Sequence, residues 1–124
     1  MPHFPAAAHF RPDIIGAVPT DALVVLCTCP DEATATEIAT ALLAEELAAC
    51  VNCVAGIRSI YRWDGQIRDD TEVLLVIKTS TARFGALETL LRARHPYEMP
   101  EILALPVVAG AENYLSWIRQ ATNA

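Results

Sequence analysis

A chain of 124 residues, 53% of them hydrophobic and 19% charged, is long enough for one domain with a real core and too short for two. Its net charge of −6, with nine scattered Lys and Arg, argues against a nucleic-acid backbone or an anionic membrane as partner. No apolar run approaches the roughly 20 residues of a membrane span, and the N-terminus has no positive n-region or continuous apolar stretch, so a cytoplasmic protein is expected.

Residues 1–20 carry Pro2, Pro5, Pro12 and Pro19 without a lasting period, which predicts a mobile extension ahead of a domain over 21–124. The β-branched apolar run from Ala22 to Thr28 predicts a buried central strand. Asp31 is placed to cap a helix, and Ala35, Ile38, Ala39, Leu42, Leu43 and Leu47 then fall on one apolar stripe, with Glu37, Glu45 and Glu46 turned away. Strand character resumes at Cys50 and runs to Trp63, where Asp64-Gly65 is a strong two-residue hairpin signal. That turn sets Trp63 opposite Gln66 and Tyr61 opposite Arg68. The same register sets Ile57 opposite Glu72, and a bulge at Gly56 would shift the part below. The returning strand ends in Val73 to Ile77 and Lys78-Thr79. A second helix is predicted over 83–94 with Phe84, Leu87, Leu90 and Leu91 inward, a last long strand over 101–108, and a closing helix over 112–120.

The order βαββαβα predicts an α+β fold, a ferredoxin-like sandwich of four antiparallel strands in the order 4-1-3-2 with an extra C-terminal helix. Two helices cover one face of that sheet and leave the other open. Hairpin arms of about thirteen residues exceed the typical strand of five or six, so they overhang the sandwich. An overhang, an open face and a high apolar fraction all call for partner subunits.

The topology brings the end of the first strand and the connector before the last strand to one edge, and so brings Cys27 near His95. A thiol and an imidazole form a soft set suited to copper, with zinc as the borderline case. Each residue also has a structural reading: Cys27 as a small core filler, His95 as a brace that bonds a carbonyl. Cys50 and Cys53 stand three apart in a strand and point to opposite faces, so they do not converge on a metal. Tyr61, Trp63, Tyr97, Tyr114 and Trp117 are expected as anchors of a subunit interface. Glu72, Lys78, Glu98 and Glu101 could line a cleft with them, or form a structural ion-pair network. No Ser-His-Asp order, phosphate loop or metal-hydrolase signature occurs, so neither enzymatic turnover nor an organic cofactor is expected.

The connector itself, Arg94-His95-Pro96-Tyr97-Glu98-Met99-Pro100-Glu101-Ile102, resembles the HPYE-x-PEI signature of the CutA divalent-cation tolerance family. Cys29-Pro30-Asp31, Leu47-Ala48-Ala49-Cys50-Val51-Asn52, Ser59-Ile60-Tyr61-Arg62-Trp63-Asp64-Gly65, Lys78-Thr79, Tyr114 and Trp117 follow in that family's order and spacing. The resemblance covers residues 23 to 118. It implies a homotrimer with PII-like architecture, sheets packed around a threefold axis, and a role in tolerance of divalent metal ions, copper above all. It also implies a metal site of one Cys on the first strand and two consecutive His before the Pro-Tyr pair. Here Arg94 stands at the first of those two, and it cannot ligate. A further donor is then required, from Cys29, Glu98 or water. A rival reading is a trimeric PII-like regulator that binds a small molecule in clefts between subunits, and a third is a trimeric scaffold without a ligand.

Overall fold

The structure is a computed structural model that describes residues 20–124. Strands β1 (Ala22–Cys29), β2 (Cys50–Trp63), β3 (Gln66–Ser80) and β4 (Leu103–Pro106) form one antiparallel sheet in the order β2-β3-β1-β4. Helix α1 (Glu32–Ala44) joins β1 to β2. A 3-10 turn over Thr81–Arg83 and helix α2 (Phe84–Arg94) join β3 to β4, and helix α3 (Glu112–Ala121) closes the chain. The expected class and strand order are those of the sheet. The extension expected over 1–20 lies outside the described residues except for Thr20, whose N–H and hydroxyl both bond to the Val107 carbonyl at 2.9 and 2.6 Å.

Alternation along the strands sorts the sheet into two faces. Val25, Cys27 and Cys29 of β1 and Val73, Leu75, Ile77 and Thr79 of β3 point one way, against Ala35, Ile38 and Leu42 of α1 and Leu87 and Leu91 of α2. Burying side chains such as Leu75 and Ile77 contributes about 1.5–3 kcal/mol each, which is how this face fixes the sandwich. The opposite face is covered only at its Ala22–Ser80 end, where the Thr122 hydroxyl bonds Ser80 Oγ at 3.1 Å and Arg119 meets Asp21 at 3.4 Å. Beyond that end, Val54, Leu103 and Leu105 leave much of their surface bare, as do Tyr114 and Trp117 on α3, whose rings pack at 5.4 Å.

Two expectations need correction. Leu43 is 44% exposed rather than on the inner stripe. Ala35, Ile38, Ala39 and Leu42 already complete that stripe, and Leu43 stands about 100° round from Leu42. Leu47 rejoins the core because Glu46 adopts a left-handed φ of 57° and folds the chain back, with Leu47 N–H on the Leu42 carbonyl at 2.9 Å. The last strand, expected over 101–108, spans only Leu103–Pro106. It is an edge with β1 as its one neighbour, and the pairing ends just past Pro106: Val107 N–H still bonds the Ala22 carbonyl at 3.1 Å, but the Val107 carbonyl is taken by Thr20 and the Ala22 N–H turns to Thr20 Oγ1 at 3.2 Å.

The hairpin, by contrast, follows its turn. Asp64 and Gly65 have φ of 53° and 74°, both positive as a type I′ turn requires, and the pairs Trp63–Gln66, Tyr61–Arg68 and Ile57–Glu72 are all present. Between Val54 and Ile57 the register shifts at Gly56, whose φ is 75°.

Candidate metal centre and adjoining cleft

Helix α2 ends at Arg94 because His95 precedes Pro96, and a residue before proline is driven out of the helical region. His95 accordingly has φ −76° and ψ 135°, and its backbone turns the ring under the end of β1. One ring nitrogen, Nε2, lies 2.8 Å from the Thr28 carbonyl, while Nδ1 accepts from the Tyr97 N–H at 3.1 Å. An accepting Nδ1 assigns the proton to Nε2, which therefore donates to Thr28. Thr28 sits between Cys27 and Cys29, which as i and i+2 in a strand share the helix-facing side.

The result is a cluster in which Cys27 Sγ, Cys29 Sγ and a ring nitrogen of His95 all lie within 4.8 Å of one another, and all three residues are buried. With metal–sulfur bonds of about 2.3 Å, two sulfurs on one metal stand about 4.0 Å apart in a trigonal set, so a shift of up to about 1 Å closes the set on an ion. Without an ion the cluster satisfies itself. The Cys27 thiol donates to the Thr28 carbonyl at 3.9 Å, and the neighbouring Cys29 together with burial pushes Cys27 well above the ordinary thiol range, while Cys27 holds Cys29 below it. Among the described residues no buried side-chain polar atom lacks a partner. Arg94, at the position where the resemblance calls for a His, reaches instead to Glu37 of α1 at 3.5 Å.

On the open side of the same strand end lies a cleft of about 760 Å³ between the hairpin overhang and the connector over 97–101. Tyr61, Trp63, Glu72, Tyr97, Glu98 and Glu101 line it, joined by Arg58, Arg68 and Met99. Glu72 is only 8% exposed, and the Tyr97 hydroxyl donates to its Oε2 at 2.7 Å. Burial and that carboxylate push the Tyr97 phenol well above its usual range. Tyr61 donates to Asp70, which raises its phenol too, and Arg58 is held by Asp69 through two oxygens. Lys78, Tyr114 and Trp117 do not line this cleft. Lys78 stands six residues up β3 from Glu72, about 20 Å, opposite Cys50, and donates to the Asn52 side chain.

Sequence reasoning brought Cys27 and His95 to one edge, where the structure has them, but it held Cys29 only as one of several further donors. The Cys-Thr-Cys spacing was the signal, since i and i+2 on a strand cannot avoid sharing a face. Glu98, another donor considered, lies in the cleft and outside the cluster.

Comparison with known proteins decides the lineage. The profile of the CutA1 divalent ion tolerance protein family matches residues 23–121. The divalent-cation tolerance protein CutA of Thermus thermophilus is 52% identical over 99 residues, 80% of this chain and 96% of that one. The chain belongs to the CutA1 divalent ion tolerance family. Its fold agrees: the structure of a divalent cation tolerance protein from Thermus thermophilus superposes with a TM-score of 0.79 at 50% identity, covering 81% of this chain and 97% of that one. The structure of a CutA from Archaeoglobus fulgidus, named as a periplasmic divalent cation tolerance protein, gives 0.79 at 34% identity over 82% of this chain and 98% of that one. Among the described residues of this CutA1-family chain, no helix is long and apolar enough to cross a membrane.

Proposed function

We propose that this chain acts in tolerance of metal ions by reversible coordination of copper at the Cys27–His95 edge, without turnover. The observation that carries the reading is the approach of buried sulfur and imidazole donors to within 4.8 Å. Soft donors of this kind favour copper, with zinc second. His95 is held in place as metal-binding imidazoles usually are, one ring N–H fixed on a backbone carbonyl, that of Thr28. Loading would cost the Tyr97 N–H its acceptor, because Nδ1 is the nitrogen whose lone pair is available in this tautomer. The test is a copper titration under reducing conditions on the parent, Cys27→Ser and His95→Ala. Weaker binding in both variants supports the reading, and equal binding by all three defeats it.

We further propose a homotrimer, supported by the bare apolar face at Val54, Leu103, Leu105, Tyr114 and Trp117 and by hairpin strands of 14 and 15 residues that outrun the sandwich. A cytoplasmic location is proposed on the four free cysteines, which suit a reducing compartment. The cleft favours one second reading, a PII-like regulator that takes a small molecule between subunits. With Lys78 outside it, and Glu72, Glu98 and Glu101 set against Arg68 and an Arg58 already paired to Asp69, such a ligand would carry positive charge rather than negative.

A further inference from the structure

The family resemblance calls for a Cys and two His, and this chain lacks one His. We propose that Cys29 takes its place, so that the centre is a three-coordinate site of two sulfurs and one nitrogen built for monovalent copper rather than for a divalent ion. The inference rests on the metal-binding reading above and specifies its ligands and its ion.

Three observations carry it. Cys27 and Cys29 are fully buried on the same face of β1, and their sulfurs share one 4.8 Å neighbourhood with His95. The backbone between them is held extended by β3, with Cys27 opposite Leu75 and Cys29 opposite Val73. Residues two apart in such a strand have Cα atoms about 6.7 Å apart, at the far limit of what a disulfide spans, so this pair is better placed to share a metal than to bond to itself. The third observation is what surrounds the donors. Among the described residues, Cys27, Cys29 and His95 are the His, Cys, Asp or Glu side chains whose donor atoms converge within 4.8 Å, so the protein offers three such ligands and no fourth. Zinc on three protein ligands completes its tetrahedron with a water. Two thiolates would neutralise it better than they neutralise a monovalent ion, but donor residues 0%, 0% and 7% exposed leave that water no open approach. Cu(I) accepts low coordination and prefers thiolate, so the donor count and softness select it.

The experiment uses the full chain with Cys50→Ser and Cys53→Ser, which removes the two thiols outside the cluster. Cu(I) is titrated without oxygen against a chromophoric Cu(I) chelator, and X-ray absorption is recorded on the loaded protein. The expected result is one Cu(I) per chain, a first shell of two sulfurs and one nitrogen, and a loss of at least about 100-fold in affinity in both Cys29→Ala and Cys29→Ser, since even outer-shell changes cost 10- to 100-fold. Zn(II) is expected not to displace Cu(I) at equal concentration. A shell with one sulfur overturns the proposal, and this readout needs no Cys29 variant to fold. If the Cys29 variants bind as the parent does while Cys27→Ser loses the metal, Cys29 is not a ligand and the Cys27–His95 reading stands alone. If Cys27→Ser also binds normally, both fall. Displacement by Zn(II) overturns the assignment to monovalent copper.

Discussion

One carbonyl, that of Thr28, ties His95 to the segment that carries both cysteines, and the bond spans 67 positions of sequence. Because Tyr97 N–H closes the other side of the ring, metal loading through Nδ1 is expected to free that amide. Its proton should shift and exchange faster in an NMR comparison of loaded and unloaded protein; an unchanged Tyr97 amide would speak against Nδ1. Thr79 plays a comparable role without chemistry. Fully buried, its hydroxyl donates to the Leu47 carbonyl at 2.7 Å and anchors the return from α1 into β2. Thr79→Val keeps the shape and strands that carbonyl, so denaturant unfolding should show a loss of about 1–3 kcal/mol. Asp31 is exposed and caps α1 by accepting from Thr34 N–H at 2.8 Å, a bond that lowers its carboxyl below the usual range. A lowered folded value means stability that is present above the unfolded carboxyl's pKa, about 3.9, and lost as pH falls through the folded one. The melting-temperature gap between parent and Asp31→Ala should therefore be widest near neutrality and shrink in acid.

At the scale of elements, the end of α1 stores a correctable strain. Glu46 N–H bonds the Leu43 carbonyl and Leu47 N–H the Leu42 carbonyl, a closing motif that wants glycine at the left-handed position Glu46 occupies. Glu46→Gly is expected to raise stability by up to about 1 kcal/mol, read as a higher melting temperature. The same contrast explains which elements were legible in the sequence. The hairpin could be read to the residue because Asp64-Gly65 fixes the turn type, and the turn fixes every pair up to the bulge. The length of β4 could not, since its apolar alternation says only that a strand is suited to the place. How far it pairs depends on having one neighbour and on Thr20, which takes the Val107 carbonyl. The candidate metal cluster was half legible: topology brings β1 and the connector together and the Cys-Thr-Cys spacing puts Cys29 on the face of Cys27, but only the connector's path shows that Glu98 lies in the cleft instead.

For the whole molecule, the open face and the overhanging hairpin set the expectation of assembly. Permanent assemblies bury more than about 2,000 Å² in total, and sedimentation equilibrium should give about three times the 13.4 kDa chain mass at micromolar concentration. A single-chain mass would remove the basis for any cleft between subunits. Metal tolerance, however, turns on where the ion sits. The most direct measurement is an anomalous difference map at the copper edge from crystals grown under reducing conditions with copper. A peak bonded to Cys27 Sγ and His95 is expected; density only in the cleft beside Glu72 and Glu101, or only at Cys50 and Cys53, would contradict coordination at the buried edge.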